Sequence, residues 1–249
     1  MSIESEADLL ALRKIGRIVA NCLQVMGRAL EPGITTQELD EIGRKHLEFH
    51  GARSAPQLAY NFPGTTCISV NEEAAHGIPG GKILSASDLV NIDVSAELEG
   101  YFADTGGSFI IPPGSDLKRN LCLAAKRALK LALKEACAGK LLSGIGRAIE
   151  MEARRNQLTV IENLGSHGVG RALHEEPGFI PGYFDPKDQR VLKNNQVITI
   201  EPFLSTGARE VFETGDGWTL ATNKGYLTAQ YEHTMVITKS RPLIMTLPA

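Results

Sequence analysis

Five side chains in this sequence have types and placements that could do chemistry together: Asp93, Asp104, His167, Glu201 and Glu232. Each falls in a segment that reads as strand or strand edge. A single Asp on a strand most often faces solvent, but Ile198-Thr199-Ile200-Glu201-Pro202-Phe203 and Ala229-Gln230-Tyr231-Glu232-His233-Thr234 set their acids among β-branched and aromatic residues. A buried, unpaired carboxylate costs several kcal/mol. Four of them gathered around one imidazole therefore need cations. The first pair makes the point. Leu89 to Ser95 alternates apolar and polar, and extended sequence resumes at Tyr101 after Glu97-Leu98-Glu99-Gly100. With Leu98 and Glu99 as the central turn residues, Asp93 and Asp104 face each other directly across an antiparallel hairpin. Like charges so placed repel, and two divalent ions a few ångströms apart, bridged by the carboxylates, would offset that repulsion. Oxygen-rich ligation with one imidazole suits Mn, Fe(II) or Co, and Zn less well; a structural zinc site would be rich in thiolates.

The remaining candidates carry weaker signals. His76 lies in a turn between strands, and His174 follows His167 by seven residues. His46 and His50 form an H-x-x-x-H pair on a helix, but Leu47 stands where a metalloprotease glutamate would be, so an exposed helical face is the better reading. On a strand, His233 points away from the face that carries Glu232. There is no G-x-S-x-G nucleophile elbow, and Gly144-Ile145-Gly146 is not completed into a dinucleotide fingerprint.

The elements that must hold these residues are legible from periodicity. Leu9, Leu12, Ile15, Val19, Cys22 and Met26 predict a helix from about residue 5 to 30, stopped by Glu31-Pro32-Gly33. Thr35 and Glu38 have capping-box spacing for a second helix ending near Gly51. A loop rich in proline and aromatics, Pro56 to Pro63, leads to a strand at Cys67 to Asn71, and the acidic hairpin closes at Pro112-Pro113. The second half repeats the plan, with helices over about 116–138 and 145–156 and extended segments near Ile161, Val197 to Pro202, Gly217 to Leu220 and Thr228 to Thr238. The expectation is an α+β fold of one domain, residues 1–249, built from pseudo-symmetric halves of about 1–113 and 114–249. Helices would cover one face of a curved, mostly antiparallel sheet and leave the other concave for a site.

Composition narrows the function classes. The chain is 43% hydrophobic over 249 residues, enough for a large core. Its 26 Lys and Arg are outnumbered by 29 Asp and Glu, which is no footprint for DNA. The four cysteines form no CxxC pair and read as reduced cytoplasmic thiols. The opening Ser2-Ile3-Glu4-Ser5-Glu6 is acidic where a signal peptide is basic, and no apolar run approaches a membrane span.

Taken in order, several stretches resemble type I methionine aminopeptidases of the creatinase-like "pita-bread" family. They are Tyr60-Asn61-Phe62-Pro63, Cys67 to Glu72, His76-Gly77-Ile78-Pro79, Asn91 to Val94, Ala103-Asp104-Thr105, His167 to Gly170, His174 to Pro177, Ile200-Glu201-Pro202 and Gln230 to Thr234. The resemblance spans nearly the whole chain. It implies a dinuclear metallo-exopeptidase using two divalent ions (Co, Mn, Fe(II) or Zn) to hydrolyse off an N-terminal methionine that precedes a small second residue. By this likeness Asp93, Asp104 and Glu232 bind or bridge both ions, His167 and Glu201 bind one, and the ions hold the attacking hydroxide. Glu201 shuttles the proton, His174 donates to the developing oxyanion, and His76 holds the backbone after the cleaved bond. Tyr60, Phe62, Cys67 and Trp218 are the candidates for the methionine side-chain pocket. The implied partners are N-termini of nascent chains near the ribosome, with no DNA, no membrane and a monomeric state. The interval from His174 to Glu201 is too short for the helical insertion of type II enzymes, and the chain opens on the helices of the catalytic domain, unlike prolidases. It departs from many relatives at Ala75, at Leu173 and in Asp104-Thr105-Gly106-Gly107-Ser108, which bear on pocket shape. An X-Pro peptidase on the same fold, a peptide-binding module and a ribosome-associated paralogue are the rival readings.

Overall fold

The structure is a computed structural model that describes residues 1–223 and 225–248. Helix α1 (Glu6–Arg28) starts at a capping box in which Ser5 and Asp8 exchange backbone-to-side-chain hydrogen bonds. It buries Leu12, Ile15, Val19, Cys22 and Met26, the stripe expected from the sequence. Helix α2 (Thr36–Phe49) is capped by Thr35 and Glu38: the Thr35 hydroxyl accepts from the Glu38 amide at 3.1 Å and the Glu38 carboxylate accepts from the Thr35 amide at 2.8 Å. After β1 (Arg53–Ser54), the expected proline-rich loop contains a short helix, α3 (Ala55–Tyr60). Ser54 caps it, Pro56 suits its first turn, and Asn61 ends it at φ 57°.

The strands β2 (Cys67–Val70), β3 (Glu73–Ala75), β4 (Leu89–Leu98) and β5 (Tyr101–Ile110) follow. β4 carries β1 and β2 along one edge and β5 along the other. The expected hairpin register is corrected here. Leu98 pairs with Tyr101, so Glu99 and Gly100 are the central turn residues, at φ 54° and 82°. Positive φ at both positions belongs to the primed turn whose twist matches the flanking strands, and glycine at the second position makes it accessible. Asp93 therefore lies opposite Gly106, and Asp104 opposite Ser95. The shift moves each acid's partner by two residues, which preserves the face. The two aspartates are diagonal neighbours, not a directly facing pair.

The second half begins with α4 (Asp116–Glu135), whose buried face is rich in alanine (Ala124, Ala125, Ala128 and Ala132), and α5 (Ser143–Arg155). Strands β6 (Thr159–Val160), β7 (Gly165–Gly168), β8 (Glu175–Pro181), β9 (Val197–Ile200), β10 (Phe203–Ser205), β11 (Phe212–Glu213), β12 (Leu220–Ala221), β13 (Thr228–Gln230), β14 (His233–Val236) and β15 (Leu243–Ile244) complete the chain. They form sheets ordered β15-β14-β9-β7-β8, β13-β10-β6 and β11-β12-β3, with every strand pairing antiparallel. The extended stretch expected from Gly217 narrows to β12, because Asp216 folds the preceding residues into a turn by accepting from the amides of Trp218 and Thr219.

There are two apolar cores. One is built mainly from α1 and α2 against β2, β4 and β5, joined by Val169, Val197, Val236 and Met245 from the second half; the other is built mainly from α4 and α5 against β9, β13 and β14, joined by Leu89. An antiparallel bridge between Gly107 and Tyr231 joins the two sheet systems. Among the described residues no helix is long and apolar enough to cross a membrane.

Candidate metal centre

Two strand pairs, one from each half, carry the acids. Asp93 and Asp104 stand on neighbouring strands of the β4–β5 hairpin. In the second half, β9 and β10 run antiparallel to β14 and β13, with Ile200 opposite His233 and Phe203 opposite Gln230. Carried through the gap, that register sets Glu201 across from Glu232. Both lie where the chain passes from one sheet to another: proline at position 202 has no amide to continue the β9 ladder, and Tyr231-Glu232 interrupts the opposite strand.

The carboxylates of Asp104 and Glu232 and the imidazole of His167 each offer a ligand atom within 4.8 Å of the others. Glu201 Oε1 is 3.5 Å from His167 Nε2, and Asp104 Oδ2 is 3.9 Å from it. Asp104, His167, Glu201 and Glu232 are all less than a tenth exposed, while Asp93 is half-buried on the wall of the adjoining cleft. Burial pushes Asp93, Glu201 and Glu232 well above the ordinary carboxylate range, and the charge of their acidic neighbours pushes them further. Burial lifts Asp104 to about 6, against hydrogen bonding from Asp93 that lowers it. Asp104 Oδ1 and Glu232 Oε1 are buried without a hydrogen-bond partner. Two orphaned carboxyl oxygens beside an imidazole nitrogen form a donor set that could hold a divalent cation.

His167 turns one ring nitrogen toward these acids. Its Nδ1 lies 2.8 Å from the Gly168 carbonyl, which can only accept, so Nδ1 carries the proton and Nε2 presents a lone pair to the acids. Desolvation, then His174 and His76 nearby, lower it to about 3, so the ring is neutral. The hydrogen bonds that support these side chains were not singled out from the sequence. Gln230 donates to Glu232 Oε2 at 3.2 Å, and its own amide oxygen accepts from Asn91 at 2.9 Å. Thr234 accepts from the Asp104 amide and donates to the Asp104 carbonyl. Ser166 accepts from the Glu201 amide. One signal for them was present: Gly106 and Gly107 inside a strand mark a close approach. A Cβ on Gly106 would lie 2.4 Å from the Gln230 amide oxygen.

The centre opens into a cleft of about 260 Å³. All four predicted pocket residues, Tyr60, Phe62, Cys67 and Trp218, line it, as do His76, His174, Ala75 and Leu173. Phe62 and Trp218 meet edge to face with ring centroids 5.2 Å apart. Cys67 pairs with Asp93 across β2 and β4, and burial followed by the charge of Asp93 raises its thiol well above the ordinary range. His76 has φ 54°, a left-handed conformation that costs a non-glycine residue about 1–3 kcal/mol and is found where surroundings impose it at functional sites. Of the other histidines, His46 near the end of α2 and His50 at its C-cap are not among the cleft's lining residues, and His233 turns to Thr246.

Buried acids with one neutral imidazole, at the floor of an aromatic-walled cleft in a helix-backed antiparallel fold, define a metal-dependent hydrolase. The sequence matches the model of metallopeptidase family M24 over residues 11–239. It is 51% identical to methionine aminopeptidase 2 of Bacillus subtilis over 247 residues, covering 99% of both chains. The structure superposes on methionine aminopeptidase of Thermotoga maritima with TM-score 0.94 at 30% identity, covering 99% of each. It also shares its fold with the prolidase of Pyrococcus furiosus, at TM-score 0.78 and 20% identity, covering 99% of this chain and 66% of that one. The chain belongs to metallopeptidase family M24 and has the pita-bread fold; it is an enzyme that uses divalent metal.

Proposed function

We propose that this protein removes the N-terminal methionine from peptides and nascent proteins whose second residue is small. One observation carries the reading: the partnerless buried oxygens of Asp104 and Glu232, beside the bare Nε2 of His167, at the floor of a cleft walled by Tyr60, Phe62 and Trp218. Divalent ions, two by this reading, would be held there by Asp93, Asp104, His167, Glu201 and Glu232. Bound, they supply an activated water at neutral pH and polarise the scissile carbonyl. Glu201 moves a proton from the attacking water to the leaving amine. His174 donates to the developing oxyanion, where preorganised donors have the largest effect. His76 holds the backbone after the cleaved bond, and the thioether packs between Phe62, Trp218, Tyr60 and Cys67. The reading extends to a single catalytic domain, a monomer, acting in the cytoplasm near the ribosome, with Mn, Co, Fe(II) or Zn as the metal.

The test is release of free methionine from Met-Ala-Ser by chelator-treated protein after addition of each metal separately. Activity restored by at least one metal, and lost below about one-hundredth in Asp104→Ala, is the expected result. Hydrolysis of Ala-Pro with no methionine released would transfer the assignment to an X-Pro peptidase. Metal binding without either activity would leave a peptide-binding module.

A further inference from the structure

We propose that Tyr60 is a positioning residue for His174: its hydroxyl donates to Nδ1 and so fixes the imidazole as the tautomer that presents Nε2–H to the cleft. This rests on the role given to His174 above and adds the group that makes the role possible. The Tyr60 hydroxyl is 2.7 Å from His174 Nδ1, and among the described residues the hydroxyl has no other hydrogen-bond partner. The rings are 5.6 Å apart at their centroids. A neutral imidazole has one N–H and one lone pair.

Which atom donates follows from acidity. A phenol with pKa of roughly 10 is a far better donor than a neutral imidazole N–H, and the bare imidazole nitrogen is a better acceptor than a phenol oxygen. The proton of the contact therefore belongs to Tyr60, and that of the ring to Nε2. His167 offers the contrast 4.1 Å away, centroid to centroid. Its Nδ1 meets a carbonyl, which cannot donate, and its ring is held with Nε2 bare. Two adjoining histidines are thus fixed in opposite tautomers by opposite partners, one as a lone-pair ligand and the other as a donor. Tyr60 is held for the task by its place as the last residue of α3, where Asn61 turns the chain at φ 57° and Phe62 beyond it is anchored on Trp218. Leu173 is buried beside His174, and the Glu175 carboxylate gathers the amides of Arg171 and Ala172 at 2.5 and 2.7 Å, fixing the loop from the other side.

The decisive variant is Tyr60→Phe, which keeps the ring in the cleft wall and removes only the donor. For zinc-loaded protein labelled with ¹⁵N-histidine, long-range nitrogen–proton correlation is expected to show His174, identified by its loss in His174→Gln, with Nε2 protonated and Nδ1 bare. In Tyr60→Phe the two tautomers should mix. The kcat for Met-Ala-Ser should fall about 10- to 100-fold, as for other groups that orient a functional histidine, with KM within about twofold. A wild-type spectrum with Nδ1–H overturns the proposal. So does a kcat retained within twofold, or a raised KM at unchanged kcat, which would make Tyr60 a pocket wall only. If wild-type protein releases no methionine with any metal, the proposed function fails and the spectrum alone decides the tautomer, as it does should Tyr60→Phe not fold.

Discussion

Four carboxyl groups around one neutral imidazole make the metal-free centre a proton store. Asp93, Glu201 and Glu232 are held well above the ordinary carboxylate range by burial and mutual charge. A carboxyl raised on folding binds more protons in the folded than in the unfolded chain between its two values, so stability falls as pH rises through that window. His167 and His233, held down to about 3 and about 4 by burial, act with the opposite sign, but only up to the unfolded histidine value near 6.5. Chelator-treated protein is therefore expected to lose thermal stability as pH rises through the raised carboxyl values, and saturating Mn²⁺ to flatten that loss, because a cation takes the place of the protons. Melting curves at fixed ionic strength measure both. Equal slopes with and without metal would mean that the acids do not gather as described. At this scale the gathering of acids was legible in the sequence, because the solvated-face reading that suits any one of them weakens when Glu201 and Glu232 both sit among β-branched and aromatic residues. Their tuning was not. That Gly168 offers a carbonyl to one histidine and Tyr60 a hydroxyl to the other depends on contacts across 114 residues in the second case.

Among the elements, helices were the more legible because their signals are local. The Thr35 and Glu38 box and the three-and-four spacing of α1 need only neighbouring residues. The second half's strands run two to seven residues and trade partners between sheets, so their pairing is fixed by tertiary contacts that no short window contains. The hairpin register depended on one choice, whether the turn centres on Leu98-Glu99 or on Glu99-Gly100, and glycine's tolerance of positive φ decides for the latter. That register puts Gly106 opposite Asp93 and leaves a gap that Gln230 fills. Gln230 is buried and tied to Asn91 and Glu232, so it cannot yield without releasing a ligand. Gly106→Ala is expected to cost about 1–3 kcal/mol of stability by overpacking and to weaken metal binding about 10- to 100-fold through the displaced Gln230. Gly81→Ala, in open space, is the control. Denaturant melts and calorimetric metal titration read the two effects; unchanged metal affinity in Gly106→Ala would show that Gln230 does not hold Glu232 in place.

The whole molecule places its centre on the seam between its halves. Asp93 and Asp104 come from the first, His167, Glu201 and Glu232 from the second. Around them the halves are stitched by Thr234 to both backbone groups of Asp104, by the Thr105 hydroxyl to the Glu232 carbonyl, by Asn91 to Gln230 and by the Glu232 amide to the Gly106 carbonyl. These bonds pull together what the acids' charge pushes apart. A cation reverses the sign of that charge term at the seam and leaves the two apolar cores behind it untouched. Metal removal should then loosen the seam before the cores. The amides of Asp104, Gly107 and Glu232 are expected to exchange at least about tenfold faster in chelated protein, a change of about 1.4 kcal/mol in local opening. Those of Ala124, Ala128 and Leu129, in the buried face of α4, should keep their rates. Hydrogen exchange followed residue by residue distinguishes the outcomes. A uniform acceleration would mean that the cations stabilise the fold as a whole, and equal rates at the seam would mean that its hydrogen bonds hold the halves together without them.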